Sequence, residues 1–297
     1  MKNIIIDTDP GKDDFLAILL LILSNRLNIK ALTTVMGNSS LENVTSNARY
    51  ILDITKSKVP LYAGANTPLT RPFRSGQVMG KSGLDGIEVK QINIAANQAS
   101  LKINEICQNS STIILALGPL TNIAKALKYF PDLESKIEKL VIMGGAINCV
   151  GNTNDYAEFN INSDPEAADI IFRSKIPKIV IPLDLCYEVP LYLSDFKKIN
   201  NSKYKDIILS IMKPYIKALQ KYENQKGAIV YDALAAYYLI NPKAFTLTPM
   251  SISIEIKNKN KLGQCIVDIN QSPNTFIATN ITKNQFKQDF IDILNKG

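Results

Sequence analysis

The chain has 297 residues, 46% hydrophobic and 21% charged, with 34 Lys and Arg against 27 Asp and Glu for a net charge of +7. It holds no histidine and no tryptophan, which excludes mechanisms that need imidazole as base, acid or ligand, His-based triads and most zinc hydrolases among them. The cationic excess is scattered among Asn and Ile with no continuous basic tract, so it reads as a solvated surface and argues against nucleic acid as a partner.

Along the chain, short apolar runs alternate with amphipathic stretches. Asn3–Ile6 predicts a buried strand, with no cleavage-like site that would mark a signal peptide. Asp13–Ser24 predicts a helix whose apolar run, Phe15 to Leu23, is too short to cross a bilayer. Ile29–Val35 reads as a second strand and Leu41–Thr55 as a second helix, and residues Gln77 to Gln91 as a loop. The strand-then-helix unit recurs at Ile113–Leu117 with Thr121–Tyr129, and at Leu140–Met143 with Pro165–Arg173. Ile179–Pro182 is a further short strand. Leu193–Lys226 has helical spacing, and Asp232–Leu239 is an apolar helix. Phe245–Ile277 alternates like antiparallel strands, before a last helix near Gln285–Asn295. The pattern predicts one α/β domain over residues 1–297: an open, mainly parallel, Rossmann-like sheet flanked by helices, with extra antiparallel strands toward the C-terminus. The four cysteines, Cys107, Cys149, Cys186 and Cys265, stand far apart without CxxC spacing and fit reduced thiols in a soluble cytoplasmic protein.

Ligands of such sheets bind beyond the carboxyl ends of the strands, and the informative polar residues fall there. Asp7, Asp9, Asp13 and Asp14 crowd one strand-to-helix turn around Pro10-Gly11. A helix N-terminus favours one or two carboxylates through its dipole. Four would repel one another unless a cation sat among them, and carboxylate oxygens suit a hard ion, calcium or magnesium. A second polar set runs from Asn152 through Asp155, Glu158, Asn160 and Asn162 to Asp164. Its amides and carboxylates could hold sugar hydroxyls. Asp164, directly before Pro165, reads instead as a helix N-cap.

Asp7-Thr8-Asp9-Pro10-Gly11-Lys12-Asp13-Asp14 resembles the signature of the inosine-uridine-preferring nucleoside hydrolase family. Four further segments agree in order: Thr33–Asn38, Leu117–Asn122, Met143-Gly144-Gly145, and Ala157–Asn160 leading to Asp164–Ala168. The resemblance covers about the first 240 residues well and the tail by position only. It implies calcium-dependent hydrolysis of the N-glycosidic bond of small-molecule ribonucleosides, by a homodimer or homotetramer. By similarity the calcium ligands would be Asp9, Asp14, the Leu117 carbonyl and Asp232, with Asp9 also the base that activates the metal-bound water. Asp13 and Asn38 would bind the 2′-hydroxyl side of the ribose. Asn152, Glu158 and Asn160 would hold the 3′- and 5′-hydroxyls and, with Asn160 counted among the catalytic residues, stabilise charge on the sugar.

The departures lie at the base end. Tyr231 and Met79 occupy positions where family members commonly carry histidine. Tyr231 either packs against the base or donates its proton, and the Tyr222–Gln225 region is another possible source of acid. Base preference, which would depend on the Gln77–Gly86 loop and the Leu219–Ile229 segment, stays open. Two other readings compete. A haloacid-dehalogenase-type phosphatase also places Asp-x-Asp after its first strand, with the first aspartate as nucleophile, although Pro10-Gly11 and the second acid pair count against it. A ribose- or nucleoside-binding protein that has lost catalysis would explain the missing histidines.

Overall fold

The computed structural model describes residues 1–76 and 78–297, so that Gln77, the first residue of the expected loop, lies outside the described residues. The strands are β1 (Lys2–Thr8), β2 (Leu27–Thr34), β3 (Leu61–Ala63), β4 (Thr112–Ala116), β5 (Ile137–Met143), β6 (Lys178–Ile181), β7 (Phe245–Met250), β8 (Ile252–Ile254), β9 (Cys265–Val267) and β10 (Thr275–Ile281). The α-helices are α1 (Lys12–Ser24), α2 (Leu41–Ile54), α3 (Ala99–Asn109), α4 (Thr121–Tyr129), α5 (Phe159–Ser163), α6 (Pro165–Arg173), α7 (Leu183–Cys186), α8 (Leu193–Phe196), α9 (Lys205–Glu223), α10 (Tyr231–Ile240) and α11 (Lys283–Leu294).

Eight strands form one sheet in the order β3-β2-β1-β4-β5-β6-β10-β7. Those from β3 to β6 run parallel, and β10 continues the parallel run beside β6 before pairing antiparallel with β7. The C-terminal strands are therefore only partly antiparallel as expected: β8 and β9 make a separate antiparallel pair, while β10 enters the main sheet. The chain steps outward from β1 to β2 and β3, then returns to the other side of β1 with β4. The strand order reverses at the β1–β4 boundary, where the connections diverge and open a crevice.

Burial follows from composition. Ile4, Ile5 and Ile6 are wholly buried because both faces of the sheet are covered, one apolar cluster lying on each side. α1 is apolar almost all round, Phe15 to Leu21 being buried, and α10 is buried along nearly its whole length. The two helices pack against each other under the carboxyl ends of the strands. That contact carries the acids at the start of α1 to the acid at the start of α10.

Candidate active site

β1 delivers the first acids. Its register sets Asp7 opposite Thr33 on β2 and Ala116 on β4. Asp7 accepts hydrogen bonds from Thr33 Oγ1 at 2.6 Å and Asn122 Nδ2 at 2.8 Å, so this carboxylate ties three neighbouring segments together below the crevice. It is not a member of the acid cluster at the crevice floor. Burial pushes it up to about 7, against the pull of those two donors. A phosphatase would need this first aspartate free as nucleophile, and its enclosure removes that reading.

Asp9 lies two residues further on, just past the end of β1. Asn38 donates to it through its backbone N–H, at 2.7 Å to Oδ2, while Asp9 Oδ1 is buried with no hydrogen-bond partner. Glycines fit closely around this carboxylate: a Cβ on Gly37 would lie 2.0 Å from Oδ2, and one on Gly118 2.7 Å from Oδ1. Asp14, at the third position of α1, accepts from Gly11 N–H at 2.9 Å, from Asn38 Nδ2 at 3.1 Å, and from the Thr8 hydroxyl. Asp13 Oδ1 is buried and unpartnered.

Asp13, Asp14 and Asp232 bring one oxygen each within 4.8 Å of one another. Asp13 thus joins the tight triad, and Asp9 stands beside it. Burial first, then the neighbouring acids, pushes Asp9, Asp13 and Asp232 well above the usual carboxylate range; burial also raises Asp14, against the hydrogen bonds it accepts. Orphaned oxygens and mutual repulsion are what a hard cation relieves, and with no histidine or cysteine in the set the donors are those of an oxygen-bound ion.

Above this floor lies a cavity of about 640 Å³. Of the residues picked out from sequence, Asp13, Asn38, Leu117, Asn152, Glu158, Asn160, Tyr231 and Asp232 all line it. Asp9 and Asp14 lie beneath, fully buried. Asn160 donates its amide to the Leu117 carbonyl at 2.6 Å and to the Met143 carbonyl at 3.3 Å, which links the ends of β4 and β5. Glu158 caps α5, accepting from the N–H groups of Asn160, Ile161 and Gly145 at 2.8, 3.0 and 3.2 Å. It is therefore at once a helix cap and a wall of the cavity, and burial holds it up at about 7 in spite of three donors. Asn152 Oδ1 accepts from Phe159 N–H at 2.9 Å. Asp164 is the N-cap of α6, as expected, and also accepts from the Thr121 hydroxyl and Leu69 N–H.

Two further residues shape the cavity: Lys12, which the sequence does not single out, and Glu223, which falls in the Tyr222–Gln225 stretch named as a source of acid. Lys12 is buried, and its ammonium donates to the Met79 carbonyl at 2.6 Å, strapping the cavity-lining loop to the start of α1. Nothing but its place in the acidic signature marks it. Glu223, the last residue of α9, lines the cavity and accepts a 2.5 Å hydrogen bond from the Tyr231 hydroxyl. Met79, at a position where histidine was expected, is buried and apolar against the same cavity. Among the described residues no helix is long and apolar enough to cross a membrane.

Comparison with known proteins agrees with this arrangement. The family model described as inosine-uridine preferring nucleoside hydrolase matches residues 4–288. The non-specific ribonucleoside hydrolase RihC of Salmonella typhi is 34% identical over 298 residues, spanning 96% of this chain and 95% of its own. A purine-preferring ribonucleoside hydrolase from Gardnerella vaginalis superposes with a TM-score of 0.91 at 28% identity, over 99% of this chain and 98% of the other. A plant nucleoside hydrolase superposes at 0.93 with 25% identity, over 99% of both chains. The sheet, the acid floor and these relationships lead to one assignment: the chain belongs to the inosine-uridine preferring nucleoside hydrolase family and is a nucleoside hydrolase.

Proposed function

We propose that this enzyme cleaves ribonucleosides to free base and ribose in a calcium-dependent reaction with Asp9 as the base. The observation that carries the reading is the pair of buried, unpartnered oxygens, Asp9 Oδ1 and Asp13 Oδ1, at the edge of the Asp13–Asp14–Asp232 triad. Asp9, Asp14, Asp232 and the Leu117 carbonyl form an all-oxygen set suited to calcium and would hold it at the cavity floor. When bound, the ion supplies Lewis acidity that lowers the pKa of water and fixes it beside the sugar.

The chain's own groups do the rest. Asp9 removes a proton from the water that attacks C1′, and the Asn38 N–H on Oδ2 keeps the other oxygen oriented for it. Asp13 and Asn38 take the 2′-hydroxyl side of the ribose. Asn152, Glu158 and Asn160 hold the 3′- and 5′-hydroxyls, and the ionised Glu158 stabilises the positive charge that grows on the ring as the C1′–N bond breaks. The enzyme would act on free ribonucleosides in the cytoplasm as a homodimer or homotetramer, a reading that rests on the family alone.

The test is reducing-sugar release from inosine, uridine, adenosine and cytidine after chelation, followed by re-addition of calcium or magnesium. Activity lost on chelation and restored by calcium is expected. Full activity in the chelated enzyme would overturn the metal role, and binding without turnover would restore the binding-protein reading.

A further inference from the structure

We propose that Glu223 is the general acid that protonates the departing base, held in position by the hydroxyl of Tyr231. This rests on the hydrolase reading and addresses the part of the reaction the rest of the site leaves unserved. Both residues line the cavity, and the Tyr231 hydroxyl donates to Glu223 Oε2 at 2.5 Å. With Oε2 engaged as an acceptor, a neutral Glu223 carries its proton on Oε1, and Tyr231 stabilises the carboxylate left once that proton has gone.

The fold fixes the pair. Tyr231 opens α10, where its ring meets Tyr187 edge-on at 6.2 Å between centroids. Within α9, the buried Tyr215 donates to the Ile229 carbonyl at 2.8 Å, tying that helix to the segment just before Tyr231. Asn224 then ends α9 in the left-handed conformation. Glu223 therefore stands at a helix C-terminus, where the backbone dipole disfavours a carboxylate.

Burial is what disfavours its charge, against the pull of the Tyr231 hydroxyl. The groups facing it are the carboxyls of Asp13 on α1 and Glu158 beside α5, and the hydroxyls of Tyr187, Tyr215 and Tyr231. No cation forms a salt bridge with it among the described residues. Burial raises it above the ordinary glutamate range, as an acid needs near neutrality. The step balances simply. The C1′–N bond breaks, its electron pair passes to the base, and the Oε1 proton moves to a nitrogen of that base. Solvent reprotonates Glu223 after the base leaves.

The experiment compares Glu223→Gln with the wild type on inosine and on p-nitrophenyl riboside, whose phenolate departs without a proton. Expected is a fall of about 100-fold or more in kcat on inosine, a change of under about threefold on the aryl riboside, and loss of the alkaline limb of the inosine pH profile. Equal losses on both substrates, or none on inosine, would overturn the role of Glu223. Tyr231→Phe serves if the first variant does not fold, and should show the same substrate split in weaker form. A wild-type enzyme that cleaves neither riboside would instead refute the hydrolase reading beneath it.

Discussion

Asn38 grips Asp9 from two directions: its backbone N–H donates to Oδ2 at 2.7 Å, and its side-chain amide donates to the Asp9 carbonyl at 3.1 Å. The same amide reaches Asp14 Oδ2 at 3.1 Å, so one side chain aligns two of the proposed calcium ligands. Asn38→Ala keeps the backbone contact and loses the others. Removing such supporting contacts typically costs 10- to 100-fold in metal affinity. The calcium concentration for half-maximal activity should rise by about that factor, measured by titrating calcium into chelated enzyme.

Gly37 tests how closely Asp9 is held. A Cβ there would fall 2.0 Å from Oδ2, on a short carboxylate fixed by the Asn38 N–H, so the side chain cannot swing away without losing that bond. Gly37→Ala should leave far-UV circular dichroism unchanged, lower stability by about 1–3 kcal/mol as overpacking does, and reduce kcat by more than about 100-fold. Near-normal turnover would show that Asp9 has freedom the packing denies it.

Glu158 connects pH to both rate and stability. Its folded pKa of about 7 stands above the ordinary value of 4.5 because burial disfavours the charge. The folded state then holds this proton more tightly than the unfolded chain. The contribution to stability is complete below pH 4.5 and is lost as pH rises through about 7. The role proposed for Glu158 in catalysis needs the opposite, ionised form. kcat/KM should therefore climb through pH 7 while the unfolding midpoint in urea declines over the same range. Glu158→Gln should flatten the kcat/KM profile and lessen the slope of the stability profile, the rest of which Asp7 supplies.

Lys12 offers a control on the loop rather than the chemistry. Its ammonium holds the Met79 carbonyl, and burial depresses its pKa. Lys12→Met keeps the stem and removes the donor. Trypsin should cut more readily after the exposed Lys81, and KM should rise several-fold with a smaller change in kcat. An unchanged cleavage rate would show that the strap is not what holds the loop.

Much of the architecture is legible in the sequence because buried parallel strands and their helices leave strong local patterns. Thr121–Tyr129 and Pro165–Arg173 emerge with the expected ends, the second bounded by the Asp164 cap and Pro165. β3 has only three residues, and the polar surface of α3 hides its periodicity, so both went unseen. The stretch Leu193–Lys226 reads as one helical run but breaks into α8 and α9 around Asn200-Asn201-Ser202, whose side chains compete for backbone hydrogen bonds. The site divides in the same way. The acids of the first turn announce themselves by crowding, whereas Asp232 is visible only through family resemblance. The Glu223–Tyr231 contact depends on how α9 docks beside α10, and no spacing rule reports that.

The packing of α1 on α10 has a consequence for biosynthesis. The acid triad joins the beginning of the chain to residue 232, so a nascent polypeptide that has not yet delivered α10 carries two of its three carboxylates and lacks the helix that packs α1 in place. Hydrolytic competence arrives late and all at once, with the docking of that helix. A ribosome-bound or prematurely terminated product would leave nucleosides uncleaved.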